Sequence, residues 1–244
     1  MSDANENEIR LTAVIPAYNK ESRIAATLEA VASYLASKPY ASEIIVVDDG
    51  STDGTAAAAR AFFAGRGGGR VLSRGRNLGK GASVKEGVLA ASGALVLFCD
   101  DDLSTPIDEL DKAVAALEAG ADVVIGSRAH PESAIRVRQR RPRELMGKAF
   151  NVLVRLFVLK GFRDTQCGFK AFRAAAARDI FGRLRTAGFG FDVEVLVLAR
   201  ALGCRIVEIP VVWCDVRPSR VRIFKGSWGM ARDLWRIRRL SRRP

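Results

Sequence analysis

A chain of 244 residues, 48% of them hydrophobic, is long enough for one substantial α/β domain and too apolar for wholesale disorder. The formal net charge of +12 and the pI near 10.1 predict an acidic partner, namely nucleic acid, an anionic membrane or a phosphorylated substrate. Four cysteines without CxxC spacing argue against a zinc site or a disulfide framework. The polar N-terminus is unlike a secretory signal, and no run reaches the roughly 18 apolar residues of a membrane span. We therefore expect a cytoplasmic protein whose membrane contact is peripheral.

The first half of the chain alternates short β-branched runs with alanine- and leucine-rich stretches of helical periodicity. This alternation predicts an α/β fold with a mostly parallel sheet covered by helices on both faces. The predicted strands are Leu11–Pro16, Glu43–Asp48, Arg70–Ser73, Ala94–Cys99 and Asp122–Ser127. The predicted helices are Ser22–Ser37, Thr55–Ala64, Gly81–Ala91 and Asp108–Ala119.

The second half is less regular. Residues Pro131–Pro142 form a basic segment bounded by prolines, which predicts a loop. The stretch Leu145–Leu159 predicts a helix that is apolar nearly all round. Burial in the core is the favoured interpretation of this helix, and a lipid groove or an interfacial element is the alternative. Arg205–Trp213 predicts a further strand.

The last predicted helix, Ser227–Arg239, has two tryptophans and other apolar residues on one side and arginines on the other. Such a helix suits the headgroup region of an anionic membrane, although a helix packed on the core with a basic outer face has the same pattern. We therefore expect three segments: a disordered polar tail at residues 1–10, one α/β domain at 11–226, and a basic amphipathic helix at 227–244.

Polar side chains follow each predicted strand, where ligands bind in parallel sheets. Asp100, Asp101 and Asp102 come directly after a buried strand, and carboxylate oxygens are the ligands that Mg²⁺ and Mn²⁺ prefer. An ion there would stabilise a departing diphosphate. An acidic helix N-terminus is the alternative, because Ser104-Thr105-Pro106 favours a helix start.

Two further strand ends have chemistry suited to a nucleotide. Asp48 and Asp49 have carboxylates that can accept hydrogen bonds from a nucleobase or a ribose, whereas Asp53 favours turn and capping roles. Lys80 lies in a glycine-flanked turn that opens a helix, so it can meet a phosphate. The turn is not a P-loop, since the wider glycine spacing and the Lys-Ser/Thr pair are absent.

Two sets of motifs stand out along the chain. The first set is Val14–Asn19, Val46–Thr55, Asn77–Gly81 and Asp100–Asp102. The second set is Gly126–Arg128, Asp164–Lys170, Phe189–Glu194 and Glu208–Val211. The first set resembles family 2 glycosyltransferases of the GT-A, Rossmann-like fold. The second set resembles the dolichyl-phosphate β-glucosyltransferase branch and the related polyprenyl-phosphate hexose synthases, and the whole resemblance covers about Leu11 to Arg239.

The resemblance implies a role for particular residues. Asp100 and Asp102 would hold Mg²⁺ or Mn²⁺, with Asp102 also in the catalytic set. Arg128, with Arg140 and Arg143 of the basic segment, would bind the phosphate of the acceptor. Asp164 and Gln166 would orient the sugar or the attacking oxygen, and a turn that satisfies its own backbone is the equal alternative. The residues expected to hold the nucleotide sugar are Pro16, Tyr18, Asn19, Asp48, Asp49, Lys80, Asp100 and Asp101.

The implied reaction is the inverting transfer of a hexose from a nucleotide sugar, UDP-glucose by branch resemblance, to a polyprenyl or dolichyl phosphate at the cytoplasmic face of a membrane. A GDP-mannose donor and a hydroxyl acceptor are the alternatives within the fold. A nucleotidyltransferase is disfavoured because Ala17-Tyr18-Asn19 stands where its glycine-rich basic loop belongs. Nucleic-acid binding, which the charge alone would allow, lacks an aromatic-interleaved basic motif and leaves the strand-end carboxylates unexplained.

Overall fold

The computed structural model describes residues 8–139, 141–216 and 236–237, without the side chains of 141, 143, 148, 150 and 155–157. Strands and helices alternate as far as β5, and the order then becomes mixed. The elements in chain order are β1 Leu11–Ala17, α1 Glu21–Ala36, β2 Ser42–Asp48, α2 Thr55–Phe63, β3 Gly69–Ser73, α3 Lys80–Leu89, β4 Leu95–Cys99, a 3-10 turn Ile107–Glu109, α4 Leu110–Glu118, β5 Val123–Ser127, β6 Ala134–Val137, α5 Arg141–Phe157, β7 Phe169–Arg173, α6 Ala174–Arg183, α7 Phe191–Ala201, β8 Ile206–Pro210 and β9 Val212–Cys214.

Seven of the described strands form one sheet in the order β3-β2-β1-β4-β7-β5-β8. All neighbours are parallel except β7, which runs antiparallel to both β4 and β5. Every residue of β1, β4 and β5 is buried, as expected of strands covered on both faces. The predicted mostly parallel, helix-covered sheet is confirmed, and β7 is an addition that the sequence pattern did not predict.

The sheet separates two layers of buried apolar side chains. On one face the strands pack against α1, α2 and α4, through residues such as Leu28, Ala59 and Leu110. On the other face they pack against α3, α6 and α7, through residues such as Val84 and Phe181. Because helices cover both faces, the carboxyl ends of the parallel strands remain the part of the sheet where polar groups can collect.

Three expectations for the second half were wrong. The basic segment is not a plain loop, because its residues 134–137 form β6, which pairs in parallel with β9. The single strand expected at 205–213 is two strands, since Val211 separates β8 in the main sheet from β9 in the small one. The helix expected to be core is α5, and its Leu145 and Leu153 are 65% and 47% exposed while Val154 on the opposite side is buried.

The predicted C-terminal helix lies mostly outside the described residues. The two positions described there, 236 and 237, have helical backbone, with Arg236 exposed and Ile237 buried against the layer that contains α6 and α7. The boundaries of the expected tail and C-terminal helix stay predictions. Among the described helices, none has the length and apolar content that crossing a membrane requires.

Candidate active site

Most of the predicted site residues lie at the carboxyl ends of β1, β2, β4 and β5, which run parallel to one another in one sheet. The turns after β1 and β2 are joined by hydrogen bonds. Asn19, in the left-handed region with φ 54°, donates its backbone N–H to Ser51 Oγ at 2.9 Å and accepts from the Thr52 N–H at 2.8 Å. Asn19 therefore holds two turns of the rim together, and the neighbouring Tyr18 is 40% exposed.

The two aspartates at the end of β2 have different surroundings, although both are buried. Asp48 Oδ1 accepts one hydrogen bond, from the Ser51 N–H at 3.2 Å. Asp49 accepts from the backbone N–H groups of Leu78 and Gly79, at 2.9 and 2.8 Å, and pairs with Arg74. Asp49 thus fixes the turn that precedes α3, and both of its carboxylate oxygens are occupied by this turn.

Lys80, the first residue of α3, reaches from that turn to the carboxylates after β4. Its Nζ lies 2.6 Å from Asp100 Oδ1 and 5.2 Å from the centre of the Phe98 ring. Burial alone would lower the pKa of Lys80, but the charge of Asp100 and of its neighbours outweighs burial and the pKa is raised. Lys80 is therefore a cation at the strand ends throughout the neutral range, placed where a phosphate can contact it.

Asp100 is partly exposed and packs closely against Gly168. Its backbone N–H donates to the Gly168 carbonyl at 3.1 Å, and a Cβ on Gly168 would overlap the Asp100 carboxylate. Burial raises the pKa of Asp100, and Lys80 opposes that rise. Asp101 points away toward α1, where Lys20 Nζ lies 2.7 Å from its Oδ2. Asp101 thus pairs with Lys20 from the turn after β1, whereas Asp100 pairs with Lys80.

Asp102 is partly exposed, and its Oδ1 accepts from the Ser104 N–H at 3.0 Å. The part of the chain that the structure describes has no group of three or more acidic, histidine or cysteine side chains that could hold a metal. Asp100 and Asp102 supply two carboxylates, which are the hard oxygen donors suited to Mg²⁺ or Mn²⁺. This pair fits an ion that takes its remaining ligands from a diphosphate and water, and does not fit a closed protein cage.

Arg128 follows β5 and is bound by Asp164 in a two-pronged ion pair. Arg128 Nε donates to Asp164 Oδ2 at 2.6 Å and Nη2 donates to Oδ1 at 2.9 Å. Arg128 counters the effect of burial and lowers the pKa of Asp164 to about 2. The Gln166 N–H donates to Asp164 Oδ1 at 3.1 Å, so this segment is also a turn that satisfies its own backbone. On its other side, the Arg128 guanidinium lies 5.8 Å from the centre of the Trp213 ring.

The other two arginines expected at the acceptor phosphate cannot be placed in the same detail. Arg140 lies outside the described residues. Arg143 lies in the first turn of α5, and its side chain is outside the described part of the structure. Their role stays a prediction.

Comparison with known proteins decides the family. A family model described as glycosyl transferase family 2 matches residues 12–181, well over half of the chain. The chain belongs to glycosyl transferase family 2.

The relatives cover nearly all of this glycosyltransferase. It is 36% identical to the dolichyl-phosphate beta-glucosyltransferase of Trichomonas vaginalis, over 95% of this chain and 71% of that protein. It is 37% identical to the dolichyl-phosphate beta-glucosyltransferase of Saccharomyces cerevisiae, over 96% of this chain and 75% of that protein. The same fold occurs in glucosyl-3-phosphoglycerate synthase from Mycobacterium tuberculosis, in a crystal structure with Mn²⁺, UDP-glucose and phosphoglyceric acid. The TM-score is 0.70 at 23% sequence identity, and the match covers 96% of this chain and 79% of that one.

Three residues of the glycosyltransferase site were missed by the sequence reasoning. Lys20 pairs with Asp101 and could have been found, because it follows the same strand end as Asn19. Gly168 is the residue against which Asp100 packs, and its place in the motif Asp164–Lys170 marks it without indicating this contact. Lys170 is 1% exposed and pairs with Asp192 in the first turn of α7. The burial of Lys170 cannot be predicted from the sequence, since a lysine in a strand indicates a solvent-exposed position.

Proposed function

We propose that this glycosyltransferase transfers glucose from UDP-glucose to a dolichyl or polyprenyl phosphate, with inversion at the sugar. The observation that supports the substrates is the similarity, at 36–37% identity over 95–96% of the chain, to enzymes named dolichyl-phosphate beta-glucosyltransferases. The geometry agrees with a phosphate acceptor, because the Arg128 guanidinium lies at the same rim as the Asp48 and Asp100 carboxylates. Guanidinium groups bind phosphate oxygens in a two-pronged way.

In this proposal the donor lies across the ends of β1, β2 and β4. Pro16, Tyr18, Asn19 and Asp48 line the nucleoside, and Asp49 supports it through the turn that it holds. Lys80 exchanges its contact with Asp100 for one with the donor diphosphate. A cation in this place stabilises the charge that develops on the diphosphate as it leaves.

A divalent ion, Mg²⁺ or Mn²⁺, is part of the proposal, and Asp100 and Asp102 are its protein ligands. The ion would supply Lewis-acid stabilisation of the diphosphate. The residues fit it because both carboxylates are oxygen donors at the end of one strand, and neither is locked into a fully buried ion pair.

Transfer to a phosphate acceptor does not need a histidine as general base. A phosphomonoester is already ionised near neutral pH, so it attacks without losing a proton to the protein. Its difficulty is the approach of two like-charged phosphates. Arg128 reduces this repulsion, because its own charge is retained across the pH range of proteins.

The proposal also places α5 on an anionic membrane surface. Its exposed apolar residues repeat every seven positions and share one side of the helix, while Val154 on the other side is buried. The segment that precedes α5 in the chain is basic, and its Arg138 is largely exposed. We assign the surface to the cytoplasmic leaflet, which is the anionic one. The exposed residues are Leu145, Met146, Ala149, Val152 and Leu153.

A product assay tests the reaction. The full chain is incubated with UDP-glucose, UDP-galactose or GDP-mannose, with Mg²⁺ or Mn²⁺, and with polyprenyl phosphate, polyprenol or a soluble hydroxyl acceptor, and lipid products are identified by mass spectrometry. Glucosyl phosphoprenol formed from UDP-glucose supports the proposal. A mannosyl product, transfer to the hydroxyl acceptor alone, or heparin binding without any turnover would each refute it.

Vesicle flotation tests the membrane surface separately. Vesicles with anionic lipid should bind the chain more strongly than neutral vesicles, and Leu153→Asp should weaken this binding. Gly182→Ala on α6, at a position with open space around it, is the matched control and should leave binding unchanged. Equal binding of both variants would contradict the assignment of α5.

A further inference from the structure

The carboxylate of Asp164 is directed at Arg128. It is 2% exposed, whereas the Arg128 side chain is 27% exposed. Asp164 Oδ2 accepts from the Arg128 backbone N–H at 3.0 Å as well as from Nε, and Oδ1 accepts from Nη2 and from the Gln166 N–H. Four donors therefore converge on one carboxylate, and three of them belong to Arg128.

This arrangement fixes the plane of the guanidinium. Nε and Nη2 are directed at Asp164, so Nη1 is on the edge that faces away from it, and within the described residues Nη1 donates to no partner. The Trp213 ring lies 5.8 Å from the guanidinium carbon and limits its rotation further. A planar group held along one edge presents the opposite edge in one orientation.

The segment that contains Asp164 is itself held in place. Glu208 of β8 accepts hydrogen bonds from the backbone N–H groups of Arg163 and Asp164, each at 3.0 Å. The Thr165 hydroxyl donates to Asn151 Oδ1 of α5 at 3.1 Å. Asp164 is thus anchored to the main sheet and to α5. Because its own position is fixed, its hydrogen bonds can hold the flexible side chain of Arg128 in one orientation.

We propose that Asp164 is a positioning residue, which orients Arg128 toward the acceptor phosphate and does not contact the sugar or the attacking oxygen itself. The proposal rests on the proposed function for the phosphate acceptor. It replaces the catalytic role that the sequence predicts for Asp164. Because Asp164 has no free carboxylate oxygen directed at the rim, its whole effect on transfer passes through Arg128.

The test is a double-mutant cycle on the full chain with UDP-glucose and a short polyprenyl phosphate. Asp164→Asn keeps the size of the side chain and should lower kcat/KM for the acceptor by about 10- to 100-fold, because a misdirected binding group costs a factor of this size. The KM for UDP-glucose should stay within about twofold of wild type. In the Arg128→Gln background, Asp164→Asn should cause no further loss, since the group that it orients is already absent.

A buried carboxylate far from the rim provides the matched control. Glu43 is 5% exposed, pairs with Arg70, and accepts from the Thr12 hydroxyl at the amino ends of the strands. Glu43→Gln should lower the urea midpoint without changing the acceptor KM. If Arg128→Gln alone does not fold, Asp164→Asn is compared with Glu43→Gln instead. Only Asp164→Asn should lower kcat/KM for the acceptor while the KM for UDP-glucose stays the same.

Three results overturn the inference. Losses that multiply in the double variant would show that Asp164 acts independently of Arg128. A loss in Asp164→Asn that falls equally on donor and acceptor would show a general structural role. An unchanged kcat/KM for the acceptor in Asp164→Asn would show that the ion pair is irrelevant to the acceptor. Failure of the proposed function is distinguishable, because there the wild-type chain makes no glucosyl phosphoprenol.

Discussion

Gly79→Ala should destabilise the protein, because two features of the turn before α3 require a residue without a Cβ. The backbone of Gly79 has φ 103° and ψ 158°, a region that is essentially restricted to glycine and costs other residues about 1–3 kcal/mol. An added Cβ would lie 2.6 Å from the Ala187 carbonyl oxygen, and such overpacking costs about 1–3 kcal/mol more. The sum is a loss of about 2–6 kcal/mol from the roughly 5–15 kcal/mol of a typical domain.

Urea unfolding with linear extrapolation measures this loss. Gly182→Ala is the control, since its Cβ would meet nothing within 4 Å, and an alanine in a helix should raise stability by up to about 1 kcal/mol. The Gly79 N–H also donates to Asp49, so the variant that remains folded should bind UDP-glucose more weakly through displacement of Lys80. A loss below about 1 kcal/mol for Gly79→Ala would refute the reasoning.

Three further predictions concern charged groups. Asp102→Asn should abolish metal-stimulated transfer while leaving the circular dichroism spectrum unchanged, and full activity in this variant would refute the metal assignment. Lys170→Met should cost about 3–5 kcal/mol in urea unfolding, because it leaves the Asp192 carboxylate buried without its cation, and Lys170→Met with Asp192→Asn should recover part of that loss. Asp164 has its pKa lowered to about 2, so its stabilisation of about 2–3 kcal/mol is complete above the unfolded pKa near 4 and disappears as the pH falls toward 2. The unfolding free energy measured as a function of acid pH shows this loss as a slope. An identical slope in Asp164→Asn would contradict its assignment to Asp164.

The first half of the fold could be predicted from the sequence because strands such as β1 and β4 are fully buried and almost entirely apolar. The predicted Leu11–Pro16 and Glu43–Asp48 differ from β1 and β2 by a single residue at one end. A continuous β-branched run bounded by turn residues has few alternatives, so local pattern and final structure agree. Ligands bind at the carboxyl ends of parallel strands, and this rule predicted that Asp48, Asp100 and Arg128 lie at the same end of the sheet.

β7 could not be predicted in the same way. Lys170 interrupts its apolar pattern, and this lysine is tolerated in the core because Asp192, 22 residues later, neutralises it and the Cys167 carbonyl accepts a hydrogen bond from it. The pairing depends on how α7 packs against the sheet, which no local pattern records. The same holds for Arg128 and Asp164, which are 36 positions apart in the chain.

The apolar content of α5 was misleading for a different reason. A helix that is apolar on most sides usually lies in the core, yet Leu145, Met146 and Leu153 are each more than 40% exposed. Composition shows that apolar surface exists. It does not show whether protein or another apolar phase covers that surface, and the exposed stripe became visible only with the fold.

An isotope-labelled donor tests most directly whether glucose is transferred to a lipid phosphate. The chain is supplied with UDP-glucose carrying ¹³C in the sugar, a divalent ion, and either polyprenyl phosphate or polyprenol of the same length. We expect a labelled glucosyl phosphoprenol with the phosphate acceptor and no labelled lipid with the alcohol. Labelled lipid from the alcohol, or none from the phosphate under conditions in which the donor binds, would contradict the proposed reaction.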